Sequence, residues 1–442
     1  MENNLKNLSE VFKGCYFRIP DYQRGYSWEK GQLEQFWEDI ENISSQRNVH
    51  YMGVLTVEKV SENEKKRGYF ENDFGANNSE TYYLVDGQQR LTTIIVLLNC
   101  LICRAESLGL EFLLDDEITD VKKKYLYKNN RGNVLMYIFG YTIDNPSSEF
   151  FKTKILGNSS SENKDVITLY TKNLEEAQKF FTEKIKNFNN DTIESYYKII
   201  VEQLKFNLYE IGNDLDVFVI FEAMNNRGKK LSNLELLKNR LIYLSTKFES
   251  SEDEQRQLRN DINNTWKNIY EYLGKNPSQK LDDDDFLKNH WIMYFKYDRS
   301  QSEAFAKFLL NEYFTLKQVN EKALCLSHVS EYVKNLQESI KNWYLIHNPN
   351  KLNGKMKIYL DQLNRIGFGA FKPLIMAILN NKTIALDNEF LDLLSIMEKF
   401  IFLMFKISQR RSNYGDSEFY RNANEFFKNE IRLSDIKKNY YS

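Results

Sequence analysis

Asp86-Gly87-Gln88-Gln89-Arg90-Leu91-Thr92-Thr93 gathers a carboxylate, two carboxamides, a guanidinium and two hydroxyls within eight residues. Such a set can hold phosphate oxygens, because charge-assisted and forked hydrogen bonds are the strong ones. Gly87 lets the backbone approach a ligand, and the first amides of a following helix have no intrahelical acceptor, so they can face an anion. In that reading Gly87 and the amides hold the phosphates. Gln88, Thr92 and Thr93 crowd the mouth with donors, Arg90 offsets the charge, Gln89 orients an attacking water and Asp86 serves as magnesium ligand or base. The same spacing also describes an ordinary strand-to-helix turn with polar residues facing water.

The elements that would position this turn are legible on either side of it. Tyr82-Tyr83-Leu84-Val85 is apolar and β-favouring, and Ile94-Ile95-Val96-Leu97-Leu98 continues an apolar run after Arg90, so the pattern predicts strand, tight turn and buried helix. Tyr51-Met52-Gly53-Val54-Leu55-Thr56-Val57 predicts the partner strand, and the polar residues 58–80 between them read as a long excursion of a hairpin. Residues 205–211 predict a last strand.

Two further stretches offer chemistry. Tyr22, Gln23 and Arg24 lie in an extended loop after Pro20. Ser27 is placed to cap a helix that buries Leu33, Phe36, Trp37, Ile40 and Ile43. Aromatic rings beside an arginine can stack on a base and grip a phosphate, or can simply form a buried aromatic turn. Farther on, an apolar helix is expected to end at Gly228, and Ser232 with Glu235 makes a capping box for the next. Asn226, Arg227 and Lys238 would gather at that polar corner and complete a phosphate site, or face solvent on a capped hairpin.

The remainder of the chain is less specific. Its 442 residues, 28% charged and 42% hydrophobic, have the balance of a folded globular protein of two or three domains, and five prolines favour long helices. A net charge of −2 does not predict nucleic-acid binding, so any such contact must come from a local patch. Lys122 to Arg131, basic with interleaved tyrosines, is one such patch or a solvated surface. Residues 144–164 break all periodicity and read as a loop or insertion. Residues 173–204 return to a helical pattern. Cys100 and Cys103 lack a second pair to complete a zinc site and are expected in the core. Asp282 to Asp285 lack the spacing of a calcium loop and read as helix-start charges. No apolar run reaches the ~18 residues of a membrane span and no leader pattern opens the chain, so a cytoplasmic location is expected. The four histidines are scattered, with none at metal-ligand spacing, and no metal site is expected.

Three segments together resemble the N-terminal domain of the GmrSD-type restriction proteins. They are Ile19-Pro20-Asp21-Tyr22-Gln23-Arg24-Gly25-Tyr26-Ser27-Trp28, Val85 to Thr92, and Phe221 to Gly228 continued by Leu237-Lys238-Asn239. The resemblance spans roughly residues 8–245. It implies an α+β domain with a ParB/sulfiredoxin-like core over residues 1–248, carrying helical insertions, followed by an all-helical domain over 249–442. It also implies a component of a prokaryotic anti-phage system that binds, and often hydrolyses, a nucleoside triphosphate with Mg2+. Whether this is GTP, ATP, CTP or UTP the residues do not distinguish. By position, Asp86 to Arg90 match the family's nucleotide motif, Tyr22, Gln23 and Arg24 its first loop, and Asn226, Arg227 and Lys238 its third. The implied partners are foreign or modified DNA and an HNH-type nuclease, supplied by a separate subunit or a further domain, with self-association left open. Complete members carry a His-x-x-Pro nuclease signature. His347-Asn348-Pro349 has the wrong spacing, so DNA cleavage by this chain alone is not expected. The rival reading is a nucleotide-gated DNA clamp or scaffold that does not hydrolyse its triphosphate.

Overall fold

The computed structural model describes residues 5–46, 49–61, 80–129, 135–143, 145, 147–157, 167–212, 231–276, 278–296, 304–381, 388–408 and 415–441. Two compact units divide the chain, Met1–Lys230 and Leu231–Ser442. The first is α+β and the second, among its described residues, is helical.

The strands of the first unit are β1 (Leu5–Asn7), β2 (Cys15–Ile19), β3 (His50–Lys59), β4 (Glu80–Asp86), β5 (Phe112–Leu113), β6 (Asp116–Glu117), β7 (Tyr127–Asn129), β8 (Leu135–Tyr137), β9 (Phe139–Tyr141) and β10 (Leu204–Glu210). Six form a mixed sheet in the order β1-β10-β3-β4-β2-β9, while β5/β6 and β7/β8 are separate two-stranded ribbons. Strands β3 and β4 pair antiparallel, as a hairpin requires, and β2 lies parallel to both β4 and β9. Residues 5–46 supply the helix Lys30–Gln46, whose Leu33, Phe36, Trp37, Ile40 and Ile43 are buried at the predicted spacing. Trp37 stacks on Tyr196 at 5.4 Å.

The helix Gln88–Ser107 is the hub of this core. Leu91, Ile94, Ile95, Val96, Leu97 and Leu98 are all fully buried, as expected of a helix that is apolar all round. Cys100 is buried, and that burial pushes its thiol up to about 12; Cys103, expected in the core, lies exposed instead.

Three local expectations are corrected. Ser27 does not cap the helix after it: the first carbonyl to accept a bond there is that of Glu29, and Ser27 is drawn toward the motif instead. Residues 148–155, within the stretch read as a loop, form a helical turn, Ser148–Phe150 continuing as Phe151–Ile155, because Phe150, Phe151 and Ile155 find core to fill. Leu204 ends no helix but opens β10. The apolar helix expected to end at Gly228 lies outside the described residues.

In the second unit Trp266, Trp291 and Trp343 are buried among helices that include Glu252–Gly274, Asp283–Tyr294 and Leu326–His347. Asp282 to Asp285 are helix-start groups, as predicted. Asp282 accepts from the Asp285 amide at 2.7 Å, and Asp284 reaches the neighbouring helix Asn233–Ser245 to accept from the Leu234 amide at 3.2 Å. Among the described residues no helix is long and apolar enough to cross a membrane.

His290 lies fully buried in this unit with its Nε2 2.8 Å from Asn335 Oδ1. That oxygen can only accept, so Nε2 carries the proton, and burial lowers the imidazole's pKa to about 4. The unfolded chain takes up a proton near pH 6.5 and the folded one only near 4. Stability is therefore complete above pH 6.5 and falls as pH drops through that interval, by on the order of 3 kcal/mol at the acid end. Replacing His290→Gln keeps a donor for Asn335 and removes the titration. Urea unfolding at pH 7.5 and pH 4.5 should show a smaller acid loss for the variant than for the parent; equal losses would assign acid sensitivity elsewhere.

Candidate functional site

The motif turn stands where the sheet is irregular. Along β10 and β3, Lys205 pairs with Tyr51 and Phe206 with Gly53, so Met52 is an extra residue in the ladder. Along β3 and β4, Thr56 pairs with Asp86 and Val57 with Leu84, so Val85 is extra as well. A bulge takes residues out of ladder pairing, and a buried carbonyl left without a donor costs about 1–3 kcal/mol. Side chains from the two motifs close both gaps.

At the first bulge, Arg90 donates from Nη1 to Met52 O and from Nη2 to Val54 O at 2.7 Å, with Asp86 Oδ2 3.5 Å from Nη2. Gly53 has φ +101°, and a Cβ there would collide with Nη1; Gly87 has φ +91°, and a Cβ would meet Leu55 Cδ2 at 2.5 Å. Both glycines are therefore required twice over, by backbone conformation and by the guanidinium fork packed against them.

At the second bulge, Gln23 Nε2 donates to Val85 O at 2.6 Å, and Gln88 Nε2 donates to Gln23 Oε1 at 2.6 Å. Gln89 works beside them. Its Oε1 accepts from the Ser27 amide at 2.8 Å and its Nε2 donates to Gly25 O at 3.0 Å. Tyr26 and Thr93 share a hydroxyl contact of 2.7 Å, and Thr92 bonds the buried Tyr141 hydroxyl. Desolvation pushes both tyrosines well above the ordinary phenol range. Asn173 donates to Tyr26 O at 3.2 Å, Asn145 to Pro20 O at 3.2 Å, and the Tyr170 side chain lies 2.5 Å from where a Gly25 Cβ would project. The loop of residues 20–28 is thus held from end to end.

The structure brings Gln23, Gly87, Gln88, Gln89, Arg90, Thr92 and Thr93 together, but most of their polar side-chain groups face one another or backbone rather than an open mouth. Tyr22 is buried and Arg24 half-buried in the same loop. Two features bear on a ligand. Asp86 keeps 43% of its side chain exposed. The helix Gln88–Ser107 starts at Gly87 with no side-chain cap, and Leu91 N–H donates to Gly87 O at 3.0 Å, so the amides of Gln88, Gln89 and Arg90 have no intrahelical acceptor. Lys238 is buried on the helix Asn233–Ser245 of the second unit, and Asn226 and Arg227 lie outside the described residues.

Gly53, Asn145 and Asn173 were not marked by residue type alone. Gly53 did carry a signal, since an isolated glycine inside a strand pattern marks a bulge or a close approach. The two asparagines carried none.

The mixed sheet of this α+β unit thus leads into a glycine-capped helix start tied to the loop of residues 20–28. The chain belongs to the GmrSD restriction endonuclease family, whose N-terminal domain matches residues 5–242. The family acts on DNA with a nuclease domain. No curated protein matches the chain.

If the guanidinium and Gly53 form one unit, their substitutions must couple. Gly53→Ala should destabilise the parent by roughly 2 kcal/mol and cost markedly less in an Arg90→Ala background, an interaction energy of about 0.5–3 kcal/mol. Chemical denaturation of the four proteins gives the number. Simple additivity would show that Arg90 does not occupy the space beside Gly53.

Proposed function

We propose that this chain is the nucleoside-triphosphate-binding, and NTP-hydrolysing, sensor component of an anti-phage restriction system, built on a ParB/sulfiredoxin-like core. The observation that carries the reading is the start of the helix Gln88–Ser107: a Gly87 cap in the left-handed region, three amides at the turn and the exposed Asp86 carboxylate beside them. Amides at a helix start favour phosphate oxygens through both hydrogen bonding and the helix dipole.

The donor set fits the group. Gln88, Gln89 and Arg90 would hold phosphate through their backbone amides. Arg90, anchored to β3, contributes its charge from a fixed position, and Asp86 is the carboxylate able to take Mg2+, a cation that commonly binds through one or two carboxylates and the substrate's own phosphates. Bound Mg2+ would neutralise charge on the phosphates. Gln89 has both ends of its carboxamide taken by the loop, so its part is to hold residues 25–27 in place, and orienting a water would require it to release one of those bonds.

Cleavage of DNA is assigned to a partner subunit or further domain. His347 folds its Nδ1 back to Trp343 O at 2.9 Å, and burial together with Lys372 lowers its pKa to about 4, which suits packing rather than a nuclease base. Titration calorimetry and phosphate release with ATP, GTP, CTP and UTP, with and without DNA, test the proposal. At least one nucleotide should bind, and Asp86→Asn should abolish Mg2+-dependent release while binding stays within a few-fold. Failure of all four to bind overturns the reading; binding without turnover selects the nucleotide-gated clamp.

A further inference from the structure

We propose that Gln88, rather than Gln89, orients the water that attacks the terminal phosphate, and that Gln23 is the residue that turns Gln88 the right way. The inference rests on the reading of the turn as a triphosphate site and assigns one catalytic step within it.

The bulge at Val85 fixes the polarity of both carboxamides. Val85 O is a carbonyl and only accepts, so Gln23 must present Nε2 to it, at 2.6 Å. Gln23 Oε1 is then an acceptor on the other side, and it takes Gln88 Nε2 at 2.6 Å. Exchanging the two ends of Gln88 would set its oxygen against the Gln23 oxygen, acceptor against acceptor. Gln23 is 3% exposed and Gln88 7%, so packing holds both in this orientation. The order Val85, Gln23, Gln88 therefore ends in a carboxamide oxygen.

Among the described residues no donor reaches Gln88 Oε1. The other polar side chains of the helix start are committed: Gln89 to Ser27 N and Gly25 O, Arg90 to Met52 O and Val54 O, and Thr93 to Tyr26 and to Gln89 O at 2.8 Å. A carboxamide oxygen so deeply buried is disfavoured unless something donates to it. A phosphate oxygen does not, being an acceptor itself. The partner must bring an O–H or N–H, as water, a sugar hydroxyl or a base amine do.

Position selects water. Gln88 is the first residue of the helix, its own amide is one of the three offered to phosphate, and Asp86, the carboxylate suited to Mg2+, stands just before Gly87. In nucleotide sites Mg2+ bridges the β- and γ-phosphates, so this turn meets the γ end, and sugar and base lie at the far end of the ligand. The water oxygen forms a bond to the γ-phosphorus as the bond to the bridging oxygen breaks, and the nucleoside diphosphate leaves with that electron pair. One water proton stays on the released phosphate and the other passes to solvent. Gln88 takes neither. It accepts a hydrogen bond that aims the water's lone pair at phosphorus. Gln23 touches no reacting atom and acts by holding the Gln88 oxygen in place.

The test compares the parent with Gln88→Met, similar in length but without the acceptor, using ATP, GTP, CTP and UTP. Calorimetry gives Kd and phosphate release gives kcat. Each diphosphate is also titrated with Mg2+ and aluminium fluoride, whose complex holds an apical water in the attacking position, or beryllium fluoride, which mimics the phosphate before attack. In Gln88→Met, kcat should fall about 100-fold or more while Kd stays near the parent's. The aluminium fluoride complex should weaken and the beryllium fluoride complex should not; a part limited to holding the loop would move both alike. Gln23→Met should show the same pattern with a smaller loss. Unfolding midpoints establish that the variants are folded, and Gln88→Asn, which draws the oxygen back by one carbon, carries the test if Gln88→Met is not. A folded Gln88→Met protein with the parent's kcat overturns the assignment and leaves the triphosphate reading intact. Loss of affinity at unchanged kcat also overturns it, giving the oxygen to a sugar or base donor. A parent that binds a triphosphate without hydrolysing it overturns the assignment and leaves binding in place. A parent that binds none overturns both.

Discussion

The extra residues at Met52 and Val85 set the constraint on which the first unit depends. Each bulge takes a residue out of ladder pairing beside the sheet's central strands, and the chain must satisfy the backbone exposed there from somewhere. Arg90 and Gln23 do so from opposite sides of the turn. The first anchors the start of the helix Gln88–Ser107 to β3. The second, braced by Gln88, ties the loop of residues 20–28 to β4. Two separated sequence motifs are thereby one structural unit, joined by hydrogen bonds to the backbone that neither could make alone.

This changes what the motif's chemistry means. Read by residue type, Gln88, Gln89, Arg90 and Thr93 look like donors awaiting a ligand, and the turn does have the spacing for a phosphate. Their side chains are instead the means by which the turn and loop are held, and under the proposed function the groups left to meet a ligand would be backbone amides and one carboxylate. Pre-organisation of this sort is economical for anion binding, because amides fixed before the ligand arrives lose little conformational freedom on binding.

The strand, turn and buried helix around Asp86 were legible because hydrophobic period and the Asp-Gly break agree at that point, and the burial stripe Leu33, Phe36, Trp37, Ile40 and Ile43 was legible for the same reason. Ser27 was misread because a serine before a helix is usually a cap, and nothing in the local pattern announces that Gln89, 62 residues later, will claim its amide. The helical turn at residues 148–155 was hidden by Asn, Pro and Ser just before it, although Phe150, Phe151 and Ile155 supplied the apolar side. Bulge positions were the hardest feature to see. Gly53 hinted at one, whereas Val85 looks like any strand residue until its pairing is known.

The central claim is that the motif's side chains hold the loop of residues 20–28 against the turn. Native-state hydrogen exchange of the Ser27 amide tests it most directly, since that N–H is bonded to the Gln89 carboxamide. In a Gln89→Ala variant the Ser27 amide should exchange at least tenfold faster than in the parent, while amides of β4 and of the helix Gln88–Ser107 keep their protection. An unchanged rate at Ser27 in a folded variant would contradict the account and return Gln89 to the solvent-facing donor that its residue type suggests.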